Sequence, residues 1–138
     1  MRQPPAQSAR GGQTRRWPYL GQPQKLLLLA VPLCLFGSFL PWADTAFGNY
    51  GGLAGGGIWT LYAGVAGIPG VIVKRRLVGM AHALIMGAVA TAIPAWQLLR
   101  LLQLGGIGRA WLPGVGLVMV LGAGIMALNA ARRLAVRS

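Results

Sequence analysis

Apolar residues fill four long stretches of this chain, and polar residues gather at the ends of those stretches. None of the four shows the strict apolar–polar alternation of a half-buried strand, and each approaches or exceeds the length at which continuous apolarity implies a membrane span. The pattern predicts helices over about residues 24–42, 53–73, 77–99 and 112–131. The core of the first, residues 26–40, is short for a bilayer that needs about 20 residues, and Pro23-Gln24-Lys25 and Pro41-Trp42 complete it at the two interfaces. Pro32 and Pro94 are expected to kink their helices, and Pro69 falls near the end of the second. The turn Lys74-Arg75-Arg76 is too short for anything but an antiparallel neighbour. Residues 98–104 stay mostly apolar around Arg100 and Gln103, a pattern suited either to continuing the third helix to about Leu104 or to lying partly along the outer interface with Arg100 snorkelling to head groups. The expected fold class is all-α: a polytopic membrane protein, a four-transmembrane-helix antiparallel bundle with both termini cytoplasmic.

The segments outside the four runs divide the rest. Residues 1–22 hold Pro4, Pro5 and Pro18, four Gln and three Gly, and bury too little apolar surface to offset ordering entropy, which predicts a disordered basic arm. The transmembrane domain is expected over 23–132, followed by a basic tail at 133–138. The loop at about 43–57 carries Gly48, Gly51, Gly52, Gly55, Gly56 and Gly57 and reads as flexible or tightly turned. A cleaved signal is the competing account of the first run: Arg15-Arg16 precedes it and Ala43-Asp44-Thr45-Ala46 follows it with small residues. The three further apolar runs make a retained anchor the more natural reading.

Charge turns this pattern into an orientation. The chain has 13 Lys and Arg residues against one acid, a net charge of +12. Eleven of the 13 fall in three clusters: Arg2, Arg10, Arg15, Arg16 and Lys25; Lys74, Arg75 and Arg76; and Arg132, Arg133 and Arg137. Four crossings put all three clusters on one side and leave Arg100, Arg109 and Asp44 on the other, which is the positive-inside arrangement of a plasma-membrane protein. Trp42, Trp59, Trp96 and Trp111 all fall at the opposite boundary, as an aromatic belt would. A nucleic-acid partner is not expected, because the cations flank apolar runs instead of lining one helix face. The expected partners are anionic lipid head groups at the cytoplasmic face and either another membrane protein or a second copy of the chain.

Chemistry-bearing residues are few. Gly79, Ala83, Gly87, Thr91 and Ala95 recur every four residues and form a small-residue stripe that permits close helix approach in lipid. Packing within the chain is the favoured use, with an oligomer interface or narrow pore as the alternative. Gly56, Thr60 and Gly64 make a shorter stripe, and Ala123, Ala127 and Ala131 another. His82, the sole histidine, should lie at the same depth as Asn129, which makes them a candidate intramembrane polar pair. Asp44 with Arg100 and Arg109 is a candidate ion pair on the other face. Cys34 is the single cysteine and excludes an internal disulfide. With no second acid, no cluster of metal ligands and no phosphate-binding loop, neither catalysis nor a cofactor is expected.

With the four runs placed, the chain resembles the small four-helix membrane proteins abundant in high-GC Gram-positive bacteria. The likeness rests on Leu40-Pro41-Trp42 after Phe36-Gly37, and on the glycine-rich entry Gly55-Gly56-Gly57-Ile58-Trp59. Related loops place an Asp before that entry, and this chain does not. The resemblance implies an architecture over about residues 30–130 and no particular activity. The function expected is a non-catalytic accessory or assembly subunit of a membrane complex. The alternative is a channel or small-solute transporter, possibly homo-oligomeric.

Overall fold

A computed structural model of the chain describes residues 21–45, 48–103 and 111–136. These are mostly helical. In chain order they form α1 (Gln22–Phe39), β1 (Pro41–Thr45), β2 (Gly48–Gly51), α2 (Gly52–Gly55), α3 (Gly57–Ile72), α4 (Arg76–Gln103), β3 (Trp111–Pro113) and α5 (Val115–Val136). The arm through residue 20, with Trp17 and Tyr19, lies outside the described residues, as do Arg109 and Arg137.

Each boundary has a local cause. At the start of α1, the Gln24 side chain turns back to accept the Gly21 N–H at 2.8 Å, satisfying a donor that the first turn leaves free. α1 ends at Phe39, three residues before the expected Trp42, because Pro41 pushes Leu40 out of the helical region; Leu40 is extended at φ −74°, ψ 160°. The expected second helix is broken in two at Gly56, whose φ of +120° suits only glycine. α4 runs unbroken through Pro94 to Gln103, so of the two readings of residues 98–104 the continued helix is the one found as far as Gln103, in one 28-residue helix. α5 extends through Arg132 and Arg133 to Val136, which makes most of the expected tail helical.

Three helices, α1, α4 and α5, are long and apolar enough to cross a membrane; α3, with 16 residues, is shorter. The four pack side by side: α1 and α4 each lie against both α3 and α5, and barely touch each other. Small residues mediate the contacts. Gly64 lies against Leu35, Gly67 against Val31 and Met86, and Gly70 against Leu27 and His82. Gly87 meets Leu128, and Gly124 meets Ala90 and Thr91. The interior is built mainly of alanine around a few larger residues, with Leu27, Met86, Leu117 and Val120 essentially inaccessible. The large apolar side chains point outward: Phe36, Phe39, Val65, Ile72, Leu84, Ile85, Val118 and Ile125 are each half or more exposed. This inverts the arrangement of a water-soluble helix, whose outer face is polar.

The glycine-rich loop is ordered where it is described. β1 is the centre of a three-stranded antiparallel sheet in the order β2-β1-β3. β2 pairs as a hairpin, with Asp44 opposite Asn49 and a bulge between Pro41 and Ala43. β3 arrives from beyond α4 and sets Leu112 opposite Asp44. The sheet caps one end of the helices. The start of α1, the α3–α4 turn and the end of α5 meet at the other end, where Arg76 donates to the carbonyls of Leu134 (2.6 Å) and Ala135 (3.0 Å). Lys25, Lys74, Arg75, Arg76, Arg132 and Arg133 therefore share one end of the molecule.

Candidate functional site

The sheet end holds the most elaborate local chemistry, and it begins with Trp42. The residue expected in an exposed aromatic belt is 2 % exposed. Its indole Nε1 donates to the Gly37 carbonyl at 3.0 Å. The cause is legible in Leu40-Pro41-Trp42: the residue four beyond Gly37 is a proline, which has no N–H to give, and the indole supplies the missing donor. The ring is clamped by Gly52, where any side chain would collide with the indole and with the Ser38 carbonyl. The chain then continues through two further main-chain bonds, Gly52 N–H to Leu40 at 3.0 Å and Gly114 N–H to Trp42 at 2.9 Å.

One turn deeper, α1 and α3 share a buried polar knot. Ser38 Oγ lies 2.7 Å from the Cys34 carbonyl and 2.8 Å from Thr60 Oγ1, and Thr60 Oγ1 lies 2.9 Å from the Gly57 carbonyl. Two hydroxyl protons thus face three contacts, so any one arrangement leaves one of the three without a proton. Cys34 Sγ donates to the Thr60 carbonyl at 3.2 Å, which gives the lone cysteine a packing role inside the joint.

Beside this joint, the sheet, α3 and α4 enclose an open groove of about 770 Å³. Its walls include Tyr50, Trp59, Trp96 and Ile93, with Thr45, Gln97 and Arg100 among the polar components. Trp59 and Trp96 are 63 % and 65 % exposed, in keeping with an aromatic rim. Gln97 reaches the loop because positions 55 and 56 are glycines; a Cβ at either would lie 3.2 Å from its amide nitrogen. Arg100 is exposed in the last turn of α4, where a cation suits the helix carbonyls.

The expected pairs fare differently. His82 Nδ1 lies 2.8 Å from the Val78 carbonyl one turn back, and its Cβ faces Gly70 of α3. Asn129 is exposed and shares a surface depression with Arg132 and Arg133. The two share no hydrogen bond among the described residues: similar depth did not mean a common face. Asp44 is half-buried in β1 and has no ion pair among the described residues, Arg100 included; Arg109 lies outside them. Within the stripe, Gly79, Ala83 and Gly87 are buried, while Thr91 and Ala95 are partly so. Gly87 and Thr91 contact α5 of the same chain, and Thr91 Oγ1 is buried with no hydrogen-bond partner. The sequence reading missed the knot, the Arg76 strap and the groove. Ser38 and Thr60, isolated polar residues inside apolar runs, were the signal for the first. No His, Cys, Asp or Glu cluster suited to a metal occurs among the described residues.

No family model, curated protein or solved structure matches the chain.

Proposed function

We propose that this chain is a four-span integral membrane protein of the plasma membrane, with both termini cytoplasmic. In this reading it acts as a non-catalytic accessory or assembly subunit that engages another membrane protein through the groove at its outer rim. The observation that carries the membrane reading is the inverted packing, with alanine and glycine inside and Leu, Ile, Val and Phe outside, which only a lipid surround makes favourable. α3 is short, but it follows α1 from Thr60–Ser38 at one end to Gly70–Leu27 at the other, and so reaches the same depth. The contacts of α4 with α3 and α5 likewise run in opposite senses, which supports antiparallel spans. The cations grouped at one end support the orientation. The resemblance to small four-helix proteins of high-GC Gram-positive bacteria belongs to the same reading.

The accessory role is supported by the contrast between a wide aromatic groove and a closed interior. Leu27, Met86, Leu117 and Val120 fill the space between the helices, which weighs against a solute path through one protomer. A pull-down of the tagged protein from native membranes in mild detergent, read by mass spectrometry, tests the role. A stoichiometric partner whose capture is lost on Trp96→Ala and Arg100→Ala supports it. Recovery of the chain alone, together with solute flux in liposomes, would replace it with a homo-oligomeric channel or transporter.

A further inference from the structure

At the cationic end, the start of α1, the α3–α4 turn and the end of α5 surround a recess of about 230 Å³. Lys74, Arg75 and Arg76 form one wall, and Pro23, Val73 and Leu134 contribute apolar surface. Arg76 is committed to the Leu134 and Ala135 carbonyls, so it braces the recess and keeps its charge there. Lys74 and Arg75 are exposed. The sole Asp or Glu, Asp44, lies in the sheet at the opposite end, so among the described residues no side-chain carboxylate neutralises this wall. The turn is flanked by Ile72 and Leu77, which are 71 % and 74 % exposed. A free anion has no use for those side chains; acyl chains do.

We propose that this recess holds the phosphate headgroup of an anionic phospholipid of the cytoplasmic leaflet, an inference that rests on the membrane reading above. Ammonium and guanidinium groups form short, charge-assisted bonds to phosphate oxygens. Basic pockets between helices at the cytoplasmic face are suited to such head groups. The competing account is a diffuse field, in which any cation at this end attracts anionic lipid equally. The depression lined by Arg132 and Arg133 provides an internal control, with two cations at the same end in a different recess.

The test follows thermal unfolding of the full chain in mild detergent by tryptophan fluorescence, while dioleoyl phosphatidylglycerol or dioleoyl phosphatidylcholine is added. Phosphatidylglycerol should raise the melting temperature of the wild type well above the effect of phosphatidylcholine. The Lys74→Gln/Arg75→Gln variant should need about thirtyfold more of it for half the effect, as two surface cations imply. Arg132→Gln/Arg133→Gln should follow the wild type. Equal losses in the two variants, equal effects of the two lipids, or the same stabilisation by inorganic phosphate would each overturn the assignment. Flotation with phosphatidylcholine vesicles separates the underlying reading. Failure to float sinks the membrane placement and this proposal with it, whereas normal flotation with indifferent melting sinks the proposal alone.

Discussion

The stop at the end of α1 can be tested through a single nitrogen. Trp42→Phe keeps a large apolar ring in a site that is 2 % exposed and removes only the donor to the Gly37 carbonyl. The carbonyl has no alternative donor four residues on, because position 41 is proline. A buried acceptor left unpaired costs about 1–3 kcal/mol, and hydrogen bonds measured inside membrane bundles average nearer 0.6 kcal/mol. A loss of about 1 kcal/mol therefore follows for Trp42→Phe. Trp42→Ala also empties the space clamped by Gly52 and should cost about 3–5 kcal/mol. Unfolding in mixed micelles by a denaturing detergent, followed by circular dichroism, resolves both values. If Trp42→Phe unfolds with the wild type while Trp42→Ala falls as stated, the indole serves by bulk alone and the capping argument is refuted.

Four further outcomes follow from the same contacts. Gly124→Ala would drive its methyl group into Thr91 Oγ1 and to 2.8 Å from the Ala90 carbonyl carbon, costing about 1–3 kcal/mol, whereas Gly122→Ala meets nothing within 4 Å and should be neutral or stabilising in the same unfolding assay. Thr91→Val replaces an unpartnered buried hydroxyl with a methyl group of the same shape, so stability should hold or rise; a clear loss would reveal a partner for that oxygen. Ser38→Ala and Thr60→Val share one contact, so the double variant should lose less than the singles together, and strict additivity in a double-mutant cycle would break up the proposed knot. Arg76→Ala should leave the melting point nearly unchanged, because the side chain is exposed, but should quicken amide exchange over residues 133–136 as the last turn of α5 loses its tie to the α3–α4 turn.

How much was legible in the sequence depends on how local the cause was. The helices could be read because their apolarity is continuous and each lies within one stretch of chain. Their ends could be read less well. Pro41 stops α1 by acting on Leu40, and that rule was available from the sequence; Trp42 was nevertheless counted into the helix and into the aromatic belt. Its burial follows from the same dipeptide once the orphaned Gly37 carbonyl is considered, so this feature was present in six consecutive residues, 37–42, and was overlooked. The sheet was of another kind. β1 and β2 are separated by a short loop, but β3 joins them from more than sixty residues away, and no pattern within residues 111–113 announces that pairing. The groove inherits the same difficulty, because its walls come from the sheet, α3 and α4 together.

The polar pairs show why depth alone was a poor guide. His82 and Asn129 were matched by their distance from the helix ends, a one-dimensional measure. A helix turns about 100° per residue, so two residues at one depth meet only if both faces agree. The small-residue stripe carried that missing angular information: Gly79, Ala83 and Gly87 lie on one line and bury one face of α4. His82 sits one residue from Ala83, rotated away from the stripe and toward Gly70 of α3. Asn129 sits two residues from Ala127 and Ala131, off the buried line of α5 and exposed. Read together, the two stripes place both polar residues outside the α4–α5 seam, so the failed pairing and the successful packing share one geometric cause. In a bundle whose interior is built of alanine and glycine, the stripe fixes the faces first, and every polar residue must be located relative to it.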